Sequence, residues 1–101
     1  MVTTYVSPHD VHSPKEHWSL IVVLDDGKDE PGALAIGRWD GELRLAMRWN
    51  GDEKNPKGNP SSRGYETWFI VPPKYNEAIL NSLPSDKLTL ARSFFPAPKS
   101  E

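Results

Sequence analysis

The tightest constraint on this chain is the dipeptide Asp40-Gly41, set inside ALAIGRWDGELRLAMRWNG at residues 33–51. Asp-Gly between two strand-forming runs signals a two-residue type I′ turn, because both central positions of that turn need positive φ. Such a turn also fixes the register of the hairpin. Trp39 then faces Glu42, Gly37 faces Arg44, Ala35 faces Ala46 and Ala33 faces Arg48, while Ile36 faces Leu45 and Leu34 faces Met47. Side chains alternate between the faces of a strand. One face therefore carries Leu34, Ile36, Leu43, Leu45, Met47 and Trp49, the composition of a core. The other carries Ala33, Ala35, Gly37, Trp39, Arg44, Ala46 and Arg48, a floor of small residues edged by two guanidinium groups and an indole.

Upstream, WSLIVVL at residues 18–24 is apolar at nearly every position, which suits a central strand covered on both faces. The acidic DDGKDEPG that follows lacks the alternating ligand spacing of a calcium loop and reads as a solvated turn between antiparallel neighbours. Near the start, Thr3 to Val6 suits a short edge strand, and Ser13-Pro14-Lys15-Glu16 has the pattern of a capping box opening one helical turn. His9, His12, His17 and Asp10 are ligand types for zinc or nickel. Pro8 and Pro14 bracket too short a stretch for a helical ligand pair, so no metal site is expected.

Downstream, residues 50–65 form a long loop rich in Asn, Gly, Pro and Ser, and loops of that length are usually functional or disordered. It contains no phosphate-binding glycine motif, yet Ser61, Ser62 and Arg63 offer hydroxyls and a guanidinium at the end of the sheet where Arg48 lies. ETWFIV at residues 66–71 reads as a strand. Tyr75, Ala78, Ile79 and Leu83 recur at helical spacing, predicting an amphipathic helix over 73–83 that packs on the sheet and stops at Pro84. Over 87–95 the alternation of Leu88 and Leu90 favours a strand, against a helix capped by Ser85-Asp86. Residues 96–101 read as a mobile tail.

These pieces describe one small α+β domain over residues 1–101: a twisted antiparallel sheet of four or five strands with one helix on one face, a curled small barrel being the alternative. Of the four tryptophans, Trp18, Trp49 and Trp68 are core candidates, and Trp39 falls on the small-residue face. The chain has no cysteine, a formal charge of −2 and no long apolar run, which together predict a cytoplasmic protein with no membrane segment. The acidic balance counts against a dedicated nucleic-acid binder. No nucleophile–His–acid order or zinc-protease motif occurs, and the repeated RWDG and RWNG are accounted for by two strand ends followed by turns. No catalytic residue, metal or cofactor is therefore assigned. The expected activity is that of a small non-catalytic binding module, meeting a protein partner or its own copy through the small-residue face. Its contact residues would be Trp39, Arg44, Arg48, Ser61, Ser62 and Arg63. Two alternatives stand beside it: a nucleotide or single-stranded nucleic acid stacked on Trp39 with the Arg residues at its phosphates, and an enzyme with its site in the 50–65 loop.

Overall fold

A computed structural model describes residues 6–29 and 31–97. Strands β1 (Trp18–Asp25), β2 (Ala33–Trp39) and β3 (Glu42–Arg48) lead into β4 (Ser61–Ser62), β5 (Tyr65–Glu66) and β6 (Phe69–Ile70). Helices α1 (Asn76–Leu80) and α2 (Ser85–Arg92) follow. Antiparallel pairing gives a four-stranded sheet of order β1-β2-β3-β6 and a separate two-stranded ribbon of β4 and β5. The main sheet is open, so the barrel alternative does not hold.

The β2–β3 hairpin has the expected register throughout, from Ala33 opposite Arg48 to Trp39 opposite Glu42. Asp40 and Gly41 both take positive φ, 50° and 87°, as the two-residue turn requires. β1 pairs with β2 but lies at the sheet's edge, not its centre. It is apolar on both sides because both faces of the sheet are covered here: Val22 and Leu24 join one hydrophobic cluster, Trp18, Leu20 and Val23 the other. Register shifts around Ile21 and Leu24 interrupt its ladder, which is how an edge strand avoids templating another chain.

The first cluster unites Leu24, Leu34, Ile36 and Leu45 from the sheet with Val71, Leu80 and Ala91, and Leu43, Ile79, Leu83 and Leu88 pack around it. Both helices contribute to it, where the sequence suggests one. The expected 73–83 helix opens as a 3₁₀ turn at Pro73–Tyr75 and continues as α1. Its fully buried residue is Leu80, whereas Tyr75 is exposed. Residues 87–95 are not a strand, since α2 runs through Arg92. Leu88, Ala91 and Phe95 at intervals of three and four outweigh the brief alternation of Leu88 with Leu90, and all three reach the cluster while Leu90 stays exposed. An ion pair between Arg92 and Glu77, at 2.8 Å and 2.9 Å, ties the two helices together.

The second cluster fills the opposite side with Val11, Trp18, Ala33, Ala35, Ala46 and Trp68. Here the small residues have a purpose: the Trp18 indole lies so close over Gly37 that any Cβ would collide with it. The Trp68 indole N–H donates to the Val11 carbonyl at 2.8 Å, anchoring the N-terminal segment. That segment enters as a 3₁₀ turn at Pro8–Asp10, and Ser13 bridges to Thr67. Residues 14–17 form a single turn, the amides of His17 and Trp18 both donating to the Pro14 carbonyl at 3.1 Å and 2.8 Å, and the turn goes straight into β1 without the side-chain bonds of a Ser13–Glu16 capping box. The Thr3 to Val6 strand falls mostly outside the described residues, although the Val6 amide bonds the Asn50 carbonyl at 2.9 Å. The 96–101 tail lies outside them beyond Ala97.

ETWFIV is divided between two partners. Glu66 pairs with Ser61 in the ribbon, and Phe69 and Ile70 pair with Met47 and Ala46. Trp68 and Ile70 point to the second cluster, Val71 to the first.

Burial along β3 sets an ordered expectation for truncation. Leu45 is fully enclosed, so Leu45→Ala should cost about 2–5 kcal/mol in urea unfolding, whereas Met47→Ala, two residues along the same face, should cost under about 1 kcal/mol. Equal losses at the two positions would contradict this packing.

Candidate functional site

The residues singled out in the sequence separate into an outer pair, an enclosed cation and an exposed ribbon. Trp39 sits beside the hairpin turn, half-buried and stacked on His17 with ring centroids 5.2 Å apart. The His17 ring pairs with Asp40, Nδ1 to Oδ1 at 2.7 Å, and the Asp40 amide donates to the His17 carbonyl at 2.8 Å. Arg44 is half-buried, with its guanidinium 3.6 Å from the Glu42 carboxylate. Ser61 and Ser62 are exposed on β4, and Arg63 is exposed in the β4–β5 turn with φ 53°.

Arg48 is different. Only 3% of it is exposed, and its guanidinium donates to the Thr67 and Lys57 carbonyls, with the Pro60 carbonyl at 3.5 Å. Burial pushes its pKa down from the ordinary value, and the charge of Glu66 opposes that shift. The planar, forked guanidinium suits this work because it can reach carbonyls from separate segments at once. Arg48, just ahead of the 50–65 loop, thus fastens its Lys57 and Pro60 carbonyls together with the Thr67 carbonyl that follows it, so the loop is folded and not a free flap. Lys57 carries the tie outward, its ammonium donating to the Gly64 carbonyl at 2.6 Å beside Arg63. The structure therefore does not assemble Trp39, Arg44, Arg48 and Arg63 into one concavity. Arg48 lies inside, and the small-residue floor between Arg44 and Arg48 is covered by Val6, Val11, Trp18 and Trp68.

The accessible feature lies on the other face of the same hairpin. Met47 and Trp49, expected in the core, are 38% and 58% exposed, and Phe69, which pairs with Met47, is 58% exposed. Residues directly opposite on paired strands share a face, so the three form one patch. Helix length leaves these side chains open. Five-residue α1 and eight-residue α2 extend about 7 Å and 12 Å, against roughly 23 Å for seven-residue β3, and they cover only part of the sheet face.

The uncovered part is the floor of a groove of about 1240 Å³. Leu34, Met47, Trp49 and Phe69 line its base, Ile79, Ser82, Leu83, Pro84 and Lys87 form one wall, and the end of β1 and the β1–β2 loop with Asp25, Asp26 and Asp29 form the other. Trp49 is held in place by its backbone, which exchanges hydrogen bonds with Asn59 at 2.8 Å and 3.0 Å. Its ring edge meets Gly32, 3.6 Å from where a Cβ would stand. The acidic loop is ordered by its own carboxylates, Asp25 accepting the Gly27 amide at 2.9 Å and Asp26 the Lys28 amide at 3.0 Å. The Asn50 amide group crosses to the Asp26 carbonyl at 2.7 Å.

Among the described residues no group of three or more His, Asp or Glu side chains is placed to hold a metal ion. Comparison with protein-family models, with characterised proteins and with solved structures gave no match. No helix among the described residues is long and apolar enough to cross a membrane.

The His17–Asp40 pair gives a pH signature. The hydrogen bond that the His17 ring donates to the Asp40 carboxylate, and then the charge of that carboxylate, raise the His17 pKa above its ordinary 6.5. A raised folded-state pKa stabilises the fold fully below the unfolded value and loses that contribution as pH rises through the folded value. The melting temperature of the wild type should therefore exceed that of Asp40→Asn by more at about pH 6 than at about pH 9, Asn being able to keep the positive φ of the turn. NMR titration of His17 should show its midpoint falling in the variant. A gap independent of pH would contradict the pairing.

Proposed function

We propose that this chain is a small non-catalytic binding module that engages another protein, and that the contact surface is the groove floored by Met47, Trp49 and Phe69. The observation that carries this reading is a contiguous patch of one sulfur-containing and two aromatic side chains left open on a sheet face whose remainder is core. Soluble domains rarely leave such a patch without a use, and aromatic residues with Met are enriched where protein surfaces meet. Large aromatic side chains on a fixed backbone also lose little entropy on binding, and Trp49 is fixed by Asn59.

Transfer of the contact from the small-residue face to its reverse follows from what covers each. Contact through Trp39, Arg44 and Arg48 would require displacing Trp18 and Trp68 from a filled core. The nucleic-acid alternative loses Arg48 to backbone carbonyls and sets Trp39 against His17, leaving Arg44 and Arg63 as its cations. For the enzyme alternative, the His17–Asp40 pair sits at the hairpin tip, while the long loop starts at the far end of β3, roughly 20 Å away along the strand. A cytoplasmic setting is part of the proposal and fits a chain without cysteine.

Trp49→Ala and Phe69→Ala should each alter stability by no more than about 1 kcal/mol, because both side chains are mainly exposed. Each should nevertheless weaken protein binding at least tenfold in pull-down and titration. Binding that survives both substitutions and is lost in Trp39→Ala would return the contact to the small-residue side.

A further inference from the structure

Resting on the binding reading above, the geometry points to the class of partner: a protein segment that sets an aliphatic or aromatic anchor on Trp49 and Phe69 and places lysine or arginine beside it, against the wall carrying Asp25 and Asp29. The base of the groove is apolar and asks for an anchor that gains by leaving water. One wall then decides the flanking chemistry. Asp25 and Asp29 are exposed, Asp26 is half-buried, and none of the three makes an ion pair among the described residues.

Asp25 and Asp26 each spend one oxygen on a loop amide, which fixes the carboxylates in place and leaves their second oxygens able to accept from a cation. Among the described residues Lys87 is the one cation of the opposite wall, and Arg48, which also lines the groove, gives its terminal nitrogens to backbone carbonyls, so a basic flank is drawn to the loop side and repelled from the helix side, which gives the segment a direction across the groove. An acidic segment, a nucleic-acid backbone or an anionic membrane would place negative charge against this wall. A second copy of the chain does no better, because its own groove brings three Asp against a single Lys on its rims, so an isologous contact gathers more acid than base.

The test is selection of a displayed library of random twelve-residue peptides on the immobilised chain, followed by titration of the synthetic winners. Peptides should be recovered that lose binding at least tenfold on Trp49→Ala. They should be enriched in an apolar residue next to Lys or Arg, and weaken about tenfold on Asp25→Asn with Asp29→Asn together. Asn retains the acceptor that Asp25 gives to the Gly27 amide, so the loop keeps its turn. Affinity of the unaltered chain should likewise fall between 50 mM and 500 mM salt, a reading that does not depend on any variant folding. Peptides that depend on Trp49 but carry no basic enrichment, and that ignore salt and the Asn substitutions, overturn this inference and leave the binding module standing. Recovery of no peptide that depends on Trp49 overturns both.

Discussion

The arrangement depends on one buried cation. Arg48 ends the third strand of the sheet and, instead of pairing with a carboxylate, gives its guanidinium to carbonyls of Lys57 and Thr67 beside that of Pro60. A charge removed from water is costly unless acceptors replace the water, and backbone carbonyls of Lys57, Pro60 and Thr67 do so for the two terminal nitrogens, leaving Nε as the one buried donor of this side chain without a partner among the described residues. The loop has little apolar material of its own, so this knot, with the Trp49–Asn59 pairing next to it, determines its course. The position of Trp49 follows from the same knot.

The two faces of the sheet are closed by different means. On the small-residue face the indoles of Trp18 and Trp68, in contact at a centroid separation of 6.2 Å, fill the space that Ala33, Ala35, Gly37 and Ala46 leave. Small residues in the strands and large ones in the covering segments are one design, and neither would pack without the other. On the reverse face the strands carry the large side chains, and two short helices with Val71 help to bury Leu24, Leu34, Ile36 and Leu45 but leave Met47 and Trp49 at the end of β3, and Phe69 beside them, open. Binding capacity therefore lies where the cover ends.

Local chemistry made the hairpin legible from sequence: Asp40-Gly41 permits few turns, and the alternation of β2 and β3 admits one register. The exposure of Met47 and Trp49 was not legible, because periodicity says which side chains share a face and cannot say how much of that face a later helix covers. The same limit applies to WSLIVVL, where apolarity on both sides reports two covered faces and says nothing about centre or edge. Arg48 looked like a contact residue because its acceptors are carbonyls, which every residue carries and no sequence pattern marks. The helix over Ser85–Arg92 was recoverable from Leu88, Ala91 and Phe95, had their spacing been set above two alternating leucines. Of the candidate site, the sequence pattern places Trp49 in the core, and Trp49, Phe69 and the acidic wall come together only through strand pairing, loop geometry and the reach of the helices.

The central claim is that one face of this sheet is sealed by the N-terminal segment and the other opens onto Met47, Trp49 and Phe69. Carbene footprinting of the folded chain, read by mass spectrometry residue by residue, measures this directly. Trp49 and Phe69 should label heavily and Met47 to an intermediate extent, while Trp18, Trp68 and the Ala33–Ala35 stretch should be protected. Labelling of Trp18 and Trp68 with protection of Trp49 and Phe69 would contradict it.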